Sequence, residues 1–302
     1  MPRRLKIGSR KSVLALIQTN YVADMIKSSH PEIQIDIVAM DTTGDKILDK
    51  PLDAIGGKGL FTLELEQSLR NGEIDLSVHS LKDMPTEIPD DLPILAYSKR
   101  EDPMDALVLP KGCRYSGLSN LKTGKPVGCS SSRRTVQLLA MEPELTVSPV
   151  RGNVPTRIEK LDAGEYGALI LAAAGLRRLN LIGRASGIFT ADEMIPAAGQ
   201  GILAIQGRKD FDKNILDGVE NKESRIAAVT ERAVISCFGC GCTSPAAAFC
   251  QVSGDEMELS ALFKDEVAGG CASGKIGGSV KDSLKLAQKL SQRLMAEAKH
   301  AI

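Results

Sequence analysis

Residues 5–37, LKIGSRKSVLALIQTNYVADMIKSSHPEIQIDI, decide the fold of the first part of the chain. Residues 5–8 form a short apolar run that is typical of a buried strand, and residues 33–37 alternate isoleucine with polar residues as in a second strand. Between them, residues 12–27 have the spacing of an amphipathic helix. Its predicted apolar stripe consists of Leu14, Ile17, Tyr21, Val22 and Met25. A strand, a helix and a strand in this order predict a βαβ unit and a mostly parallel sheet.

The same alternation continues along the chain and restarts after the polar, proline-broken segment 100–103. It includes predicted helices over 60–69 and 156–163. A second segment rich in glycine and proline, 196–201, precedes a short apolar run at 203–205 that we expect to return to the first sheet. Both segments are predicted crossing points between domains.

We therefore predict an α/β protein with three domains. Domain 1 covers 1–99 and about 199–217, and domain 2 covers 104–195; both have the doubly wound α/β pattern. Residues 221–302 begin with the pattern of an amphipathic helix, continue with two or three predicted strands and end in a predicted helix. They predict a small α+β third domain, whose first helix leads into a cysteine-rich loop.

The composition is typical of a globular protein and excludes several classes. The 38 basic residues balance 38 acidic ones, which gives no support to binding of nucleic acid or of a membrane surface. The first residues lack the apolar core of a secretory signal, and no apolar run has the length of a membrane span. Seven cysteines, four of them in one loop, do not form the pattern of a secreted disulfide framework. We therefore expect a cytoplasmic protein.

Basic residues gather where predicted strands run into helices. Open α/β sheets bind ligands at the carboxyl ends of their strands, where helix N-termini add N–H groups and a positive dipole end. Because arginine pairs bidentately with carboxylates, the set predicts an anion site, although a single arginine is more often a solvated surface residue. The residues concerned are Arg10, Lys11, Lys58, Arg133, Arg134, Arg151, Arg157, Arg177, Arg178 and Arg184.

Asp83 follows a predicted strand over 74–78 and lies beside Lys82. A carboxylate next to positive charge stays ionised, and it can transfer protons or stabilise a developing cation. A cap or turn is the commoner role for such an aspartate. The nearby His79 is better explained as a buried, hydrogen-bonded residue, since no second histidine lies at metal-ligand spacing. The glycine run 56–59 lacks Walker spacing and is typical of a turn before a helix.

The stretch Cys237-Phe-Gly-Cys-Gly-Cys242 places three thiols in six residues, and Cys250 follows. Four cysteines at this density suit zinc or an iron–sulfur cluster. They also suit two other interpretations: core or loop residues of no special role, or a nucleophile or covalent anchor among them. Spacing alone leaves these three alternatives open.

Short motifs recur over nearly the whole chain. They are Gly8-Ser-Arg10-Lys-Ser12, Gly44-Asp45, Gly56-Gly-Lys-Gly-Leu-Phe61, Val78-His-Ser-Leu-Lys-Asp83, Ser130-Ser-Ser-Arg-Arg134, Arg151-Gly-Asn153 with Arg157, Ala174-Gly-Leu176 with Arg178, and Gly199-Gln-Gly201. Each motif is weak alone, but in this order and spacing they are specific, and the chain resembles the porphobilinogen deaminase family, also called hydroxymethylbilane synthases. The resemblance implies that the first two domains are similar to periplasmic binding proteins and are joined by hinges.

The resemblance also implies an activity. The family joins four porphobilinogen units head to tail into the linear tetrapyrrole hydroxymethylbilane, with release of ammonia at each addition. It builds on a dipyrromethane cofactor held by a thioether to a loop cysteine, and the matching residue here is Cys242. The implied substrate is porphobilinogen, the product is expected to pass to uroporphyrinogen III synthase, and the protein is expected to be a monomer. No metal ion is implied.

Each pyrrole carries an acetate and a propionate, which explains why many cations are needed. The implied catalytic residues are Asp83, Lys82 and Arg10. Asp83 is expected to aid loss of ammonia, to stabilise the azafulvenium cation that results, and to assist the later deprotonation. The implied cofactor-binding residues are Cys242, Lys58, Ser80, Lys82, Asp83, Cys129, Ser131, Arg133, Arg134, Arg151, Gly152 and Gly199. The implied substrate-binding residues are Arg10, Ser12, Arg151, Arg157 and Arg178.

The sequence departs from the family's usual pattern around the anchor cysteine, where Gly239-Cys240-Gly241 stands for Glu-Gly-Gly and Thr243-Ser-Pro for Gln-Val-Pro. Cys129 stands where a threonine is usual, Ala54 replaces a basic residue, and the tail is short. Two alternatives belong to other classes: a solute- or effector-binding protein on the same two-domain scaffold, and a metal-binding protein built on the cysteine loop.

Overall fold

The computed structural model describes residues 4–46, 59–121, 124–239 and 244–300. The chain divides into two compact units, Met1–Glu101 with Gly201–Val229, and Asp102–Gln200 with Thr230–Ile302. Two of the boundaries, after Glu101 and after Gln200, lie in the segments predicted as crossing points. The division into three domains, with its further boundary before residue 221, stays a prediction.

The helices and strands follow the predicted alternation. The strands are β1 (Arg4–Arg10), β2 (Gln34–Met40), β3 (Leu76–Ser80), β4 (Ile94–Tyr97), β5 (Asp105–Val108), β6 (Val127–Gly128), β7 (Val147–Ser148), β8 (Ala168–Ala172), β9 (Ala185–Ile188), β10 (Leu203–Gly207), β11 (Ala247–Ser253), β12 (Glu256–Lys264) and β13 (Cys271–Ser279). The α-helices are α1 (Val13–Ser29), α2 (Thr43–Lys46), α3 (Leu63–Arg70), α4 (Ser132–Met141), α5 (Val154–Asp162), α6 (Ala173–Arg178), α7 (Lys222–Cys237) and α8 (Ser283–His300).

Each unit contains a five-stranded sheet, and the two sheets share one topology. Their strand orders are β2-β1-β3-β10-β4 in the first unit and β7-β6-β8-β5-β9 in the second. In each sheet four strands run in one direction, while β10 or β5 runs against both of its neighbours. The return of the chain to the first sheet after residue 201 is thereby confirmed. The fold is α/β with two doubly wound sheets, as predicted.

A three-stranded antiparallel sheet, β11-β12-β13, lies in the second unit with α8 packed against β12 and β13. Phe249 and Leu262 of this sheet share an apolar cluster with Ile195, which precedes the predicted crossing point at 196–201. The antiparallel strands followed by a terminal helix confirm the α+β character predicted for this part of the chain.

The buried face of α1 differs from the predicted stripe. Val22 is fully buried, but Tyr21 is 46% exposed. Helix α1 lies against β1, β2 and β3, and a helix that approaches a sheet closely needs small side chains at the contact. The buried face therefore includes small and polar residues that a hydrophobicity pattern overlooks: Ala15, Gln18, Thr19, Val22, Ala23 and Ile26.

Two helix starts also differ from the predictions, and local hydrogen bonds explain both. The predicted helix over 60–69 begins at Leu63, because Thr62 N–H closes a turn on the Gly59 carbonyl at 2.9 Å. The predicted helix over 156–163 begins at Val154, because the Asn153 side chain accepts the Thr156 N–H at 3.0 Å and thus caps it.

None of the helices in the described ranges has the length and apolarity needed to cross a bilayer.

Candidate functional site

A small open pocket lies in the first unit at the carboxyl ends of β1 and β3. Arg10 is the last residue of β1, Ser80 is the last residue of β3, and Asp83 ends the short 3-10 turn that follows β3. Parallel strands of an α/β sheet bring their carboxyl ends to one edge, so the fold places these three residues together. The other lining residues are Ala15, Gln18, Phe61, Thr62, Val78 and His79.

The carboxylate of Asp83 is exposed in this pocket. Among the residues that the structure describes, none donates a hydrogen bond to it. Lys82, the preceding residue in the turn, is half-buried. The pocket therefore combines an accessible carboxylate with the guanidinium of Arg10.

Neighbouring side chains hold the polar residues of the pocket in place. The guanidinium carbon of Arg10 lies 4.1 Å from the ring centroid of Phe61. Gln18 Nε2 lies 2.9 Å from Ser80 Oγ and donates a hydrogen bond to it. Ser12 Oγ accepts the Ala15 N–H at 3.3 Å and caps α1. The structure thus gives Ser12 a capping role, and its contact with substrate stays a prediction.

His79 forms part of the pocket wall and is only 6% exposed. Its ring Nε2 lies 2.8 Å from Ser77 Oγ. The pKa of His79 is lowered to about 4, chiefly by burial and also by the positive charge of Arg10, against a hydrogen bond with Gln206 that raises it. The buried, hydrogen-bonded histidine expected from the sequence is confirmed.

In the second unit, Arg133 and Arg134 converge on Asp105. Arg133 Nη1 lies 2.8 Å from Asp105 Oδ2, and Arg134 donates from Nη2 and Nε to Oδ1 at 2.7 and 2.9 Å. All three side chains are buried. Burial alone would raise the pKa of Asp105, but the two guanidiniums hold it well below its usual value. The cluster is therefore ionised at neutral pH.

Arg133 and Arg134, predicted to bind cofactor carboxylates, also have structural partners within the second unit. Both also donate to backbone carbonyls, of Ile195 at 2.7 Å and of Ile170 at 3.1 Å, so each has a structural task. Their contact with cofactor carboxylates stays a prediction. Asp105 was not among the predicted site residues, although a lone carboxylate at the start of an apolar strand is a signal that a buried cation lies nearby.

The remaining predicted residues of the second unit lie in turns or in the helices that follow them, with Arg157 in α5 and Arg178 at the end of α6. Gly152 has φ +110, and its carbonyl accepts a hydrogen bond from Arg157 Nε at 2.8 Å. Gly199 has φ +74, and its N–H donates to the buried Glu231 at 2.7 Å. The other three are Ser131, at the N-cap position of α4, and the half-buried Arg151 and Arg178.

Cys129, which stands where a threonine is usual in the family, lies just before α4. The thiol is buried, and its Sγ lies 3.7 Å from the Ser131 carbonyl, at the start of α4. A weak thiol donor thus occupies the position where a threonine hydroxyl is usual.

The central part of the thiol loop, Cys240 to Thr243, lies outside the described residues, and so do Lys58 and Ala54. Cys237 is exposed at the end of α7, whereas Cys250 is buried in β11. Within the described ranges, no group of three or more histidine, cysteine or acidic side chains is arranged to hold a metal ion.

Comparison with known proteins identifies the relatives of this chain. Residues 5–217 match the family model described as porphobilinogen deaminase, dipyromethane cofactor binding domain. The chain is 51% identical over 263 residues to the porphobilinogen deaminase of Acetivibrio thermocellus, which covers 87% of this chain and 88% of that protein. It is 46% identical over 267 residues to the porphobilinogen deaminase of Ruminiclostridium cellulolyticum, covering 88% and 89%. A solved structure of a methionine binding protein aligns with 74% of this chain and 93% of its own at 12% identity and a TM-score of 0.46.

Asp105→Asn tests the buried ion cluster. It leaves two buried guanidiniums facing a neutral amide, so we expect the free energy of unfolding to fall by about 3–5 kcal/mol in a denaturant titration. Asp162→Asn is the matched control, because Asp162 pairs with Arg184 at the surface, and it should cost about 1 kcal/mol or less. Equal losses in the two variants would contradict the cluster's structural role.

The buried His79 predicts a specific pH dependence. Its pKa is about 4 in the folded protein against 6.5 in the unfolded chain, so between these values the unfolded chain binds a proton that the folded protein does not. Stability should therefore fall as the pH is lowered across this window, by about 3 kcal/mol in total.

His79→Gln should remove this contribution. Denaturant titrations of both proteins from neutral pH down to about pH 4 should show a shallower loss of stability in the variant. The prediction fails if the two proteins lose stability in parallel.

Proposed function

This chain belongs to the porphobilinogen deaminase family, and on that premise we propose that the pocket of the first unit is where porphobilinogen loses ammonia. The chain is a transferase of tetrapyrrole biosynthesis that joins four porphobilinogen units into hydroxymethylbilane on a dipyrromethane primer. The observation that carries the proposal is the presence of Arg10 and Asp83 in one pocket at the sheet edge.

The chemistry of the pocket fits the family's cofactor. Dipyrromethane presents pyrrole N–H donors and carboxylates, and the pocket presents the complementary groups: an accessible carboxylate, a guanidinium and a hydroxyl. When bound, the cofactor supplies the pyrrole carbon to which the first porphobilinogen is joined. Cys242 would hold it covalently. The further residues proposed to hold it are Lys58, Ser80, Lys82, Asp83, Cys129, Ser131, Arg133, Arg134, Arg151, Gly152 and Gly199.

Asp83 has the central chemical role in this proposal. Loss of ammonia from porphobilinogen leaves a positive charge spread over the pyrrole ring, and a carboxylate near the ring N–H lowers the energy of that cation. The same carboxylate accepts the proton that is lost after the new carbon–carbon bond has formed. Its exposure in the pocket keeps it accessible to each substrate in turn.

The arginines neutralise the acetate and propionate groups. We assign Arg10, Arg151, Arg157 and Arg178 to this task, with Ser12 as a neighbouring hydroxyl, because bidentate guanidinium contacts suit carboxylates. Arg133 and Arg134, held by Asp105, also fix the start of α4 and with it the N–H groups that follow Ser131. A helix N-terminus of this kind attracts anions.

The fate of the product belongs to the same proposal. Hydroxymethylbilane is a linear tetrapyrrole, so the next reaction must close the ring, and a uroporphyrinogen III synthase would consume it. We propose that the protein works as a monomer in the cytoplasm. The solute-binding and metal-binding alternatives are not favoured, because relatives that share most of the chain are porphobilinogen deaminases.

Asp83→Asn keeps the shape of the side chain and removes its charge. We expect kcat to fall by about 10²–10³-fold, in the range found when one group that stabilises transition-state charge is lost. The measurement is the steady-state rate of ammonia release by protein whose intact mass shows a complete cofactor. Asp24→Asn, at an exposed site on α1, is the control and should leave the rate unchanged. A fully active Asp83→Asn variant would remove Asp83 from the mechanism.

Intact mass distinguishes the two thiols of the loop. The wild-type protein and Cys240→Ala should each weigh two pyrrole units more than their sequences, whereas Cys242→Ala should have the mass of its sequence and no activity, since the thioether is formed by one sulfur. Peptide mapping of residues 237–250 locates the modification. The opposite result, with Cys240→Ala unmodified, would move the anchor to Cys240.

A further inference from the structure

The ring of Phe61 supports the guanidinium of Arg10 on one side of the pocket. The distance of 4.1 Å between the guanidinium carbon and the ring centroid is that of a cation–π interaction. Both residues line the pocket that contains Asp83. The ring is therefore one of the groups that hold the cation of Arg10 at the pocket.

Phe61 occupies this position because residue 44 has no side chain. A Cβ atom at Gly44 would lie closer than 3.0 Å to three atoms of the Phe61 ring, a distance at which one of the two groups must move. Gly44 lies in α2, where any residue can adopt the backbone conformation. The ring of Phe61, rather than the backbone, is what excludes a side chain here.

Hydrogen bonds on both sides of the contact prevent the two segments from separating. Gly44 N–H donates to the Leu60 carbonyl at 2.9 Å. Thr43 donates from its N–H at 2.8 Å and from its hydroxyl at 2.5 Å to the Glu64 carboxylate. These contacts tie α2 to the residues before and after Phe61. A side chain at position 44 would therefore displace the ring from Arg10.

We propose that Gly44 is a positioning residue for substrate binding. By leaving room for the Phe61 ring, it sets the place of the Arg10 guanidinium, which receives a carboxylate of porphobilinogen. Gly44 acts through Phe61, and the inference rests on the role of Arg10 in the proposed function.

Gly44→Ala in cofactor-loaded protein tests the inference. We expect the KM for porphobilinogen to rise about tenfold, the factor that 1.4 kcal/mol of lost binding represents. The kcat should change by less than about twofold, because loss of binding that is equal in ground state and transition state raises KM alone. Gly183→Ala is the matched control: a Cβ there would meet nothing within 4 Å, and KM should not change.

A double-mutant cycle with Phe61→Leu shows whether the effect passes through the ring. Phe61→Leu should itself raise KM, and Gly44→Ala should change KM by less than about twofold in that background. If Gly44→Ala alone does not fold, the double variant should fold, because the smaller leucine leaves room for the methyl group. Equal KM effects in the two backgrounds, an unchanged KM in folded Gly44→Ala, or a double variant that remains unfolded would overturn the inference.

Arg10→Ala separates this inference from the proposed function. If Arg10→Ala leaves KM unchanged, Arg10 does not receive substrate carboxylates and both proposals fail. If Arg10→Ala raises KM and Gly44→Ala does not, the function of Arg10 stands and only the role of Gly44 is lost.

Discussion

A charge buried without a counter-charge destabilises a protein, and the second unit is organised by this constraint at Asp105. Its carboxylate is held by Arg133 and Arg134 of α4 and by Gln200 Nε2 at 2.9 Å. The same Gln200 amide donates to the Pro103 carbonyl at 2.6 Å. The carboxylate of Asp105 thus connects the start of β5 with the first turn of α4. Through Gln200 it also connects the two ends of the stretch Asp102–Gln200. Removal of Asp105 would leave two buried guanidiniums without a counter-charge.

In the first unit, by contrast, the carboxylate is accessible to solvent. Asp83 and Arg10 lie at the edge of a sheet, and the carboxylate is exposed and receives no hydrogen bond from the described residues. An exposed charge in a pocket contributes little to folding, but it is available to a ligand. The neighbouring His79 is buried, and burial lowers its pKa to about 4, so its ring adds no positive charge to the pocket at neutral pH.

Much of the fold followed from the sequence because the strands are short apolar runs bounded by glycine, proline or polar residues. The predicted strand at 203–205 joins the first sheet as expected, and the motif residues Arg10, Ser80 and Asp83 meet because strand ends meet in any parallel sheet. The buried face of α1 did not follow, since Ala15 and Thr19 are buried by their closeness to the sheet rather than by hydrophobicity. Nor did the pairing of Asp105 with Arg133, because it joins residues distant in sequence and only the folded chain brings them together.

The shared topology of the two sheets explains where the proposed site residues lie and why their chemistry differs. Strands β1 and β3 of the first sheet occupy the places of β6 and β8 in the second. Arg10 ends β1 and Asp83 follows β3, whereas Arg133 lies in the first turn of the helix after β6 and Arg178 at the last residue of the helix after β8. The carboxylates are not equivalent: Asp83 is exposed at a strand end, whereas Asp105 is buried at the start of a strand and neutralised by two arginines. Proton transfer requires an accessible carboxylate, and this difference is why the proposed function assigns the chemical step to Asp83, whereas Asp105 serves to hold Arg133 and Arg134 at the start of α4.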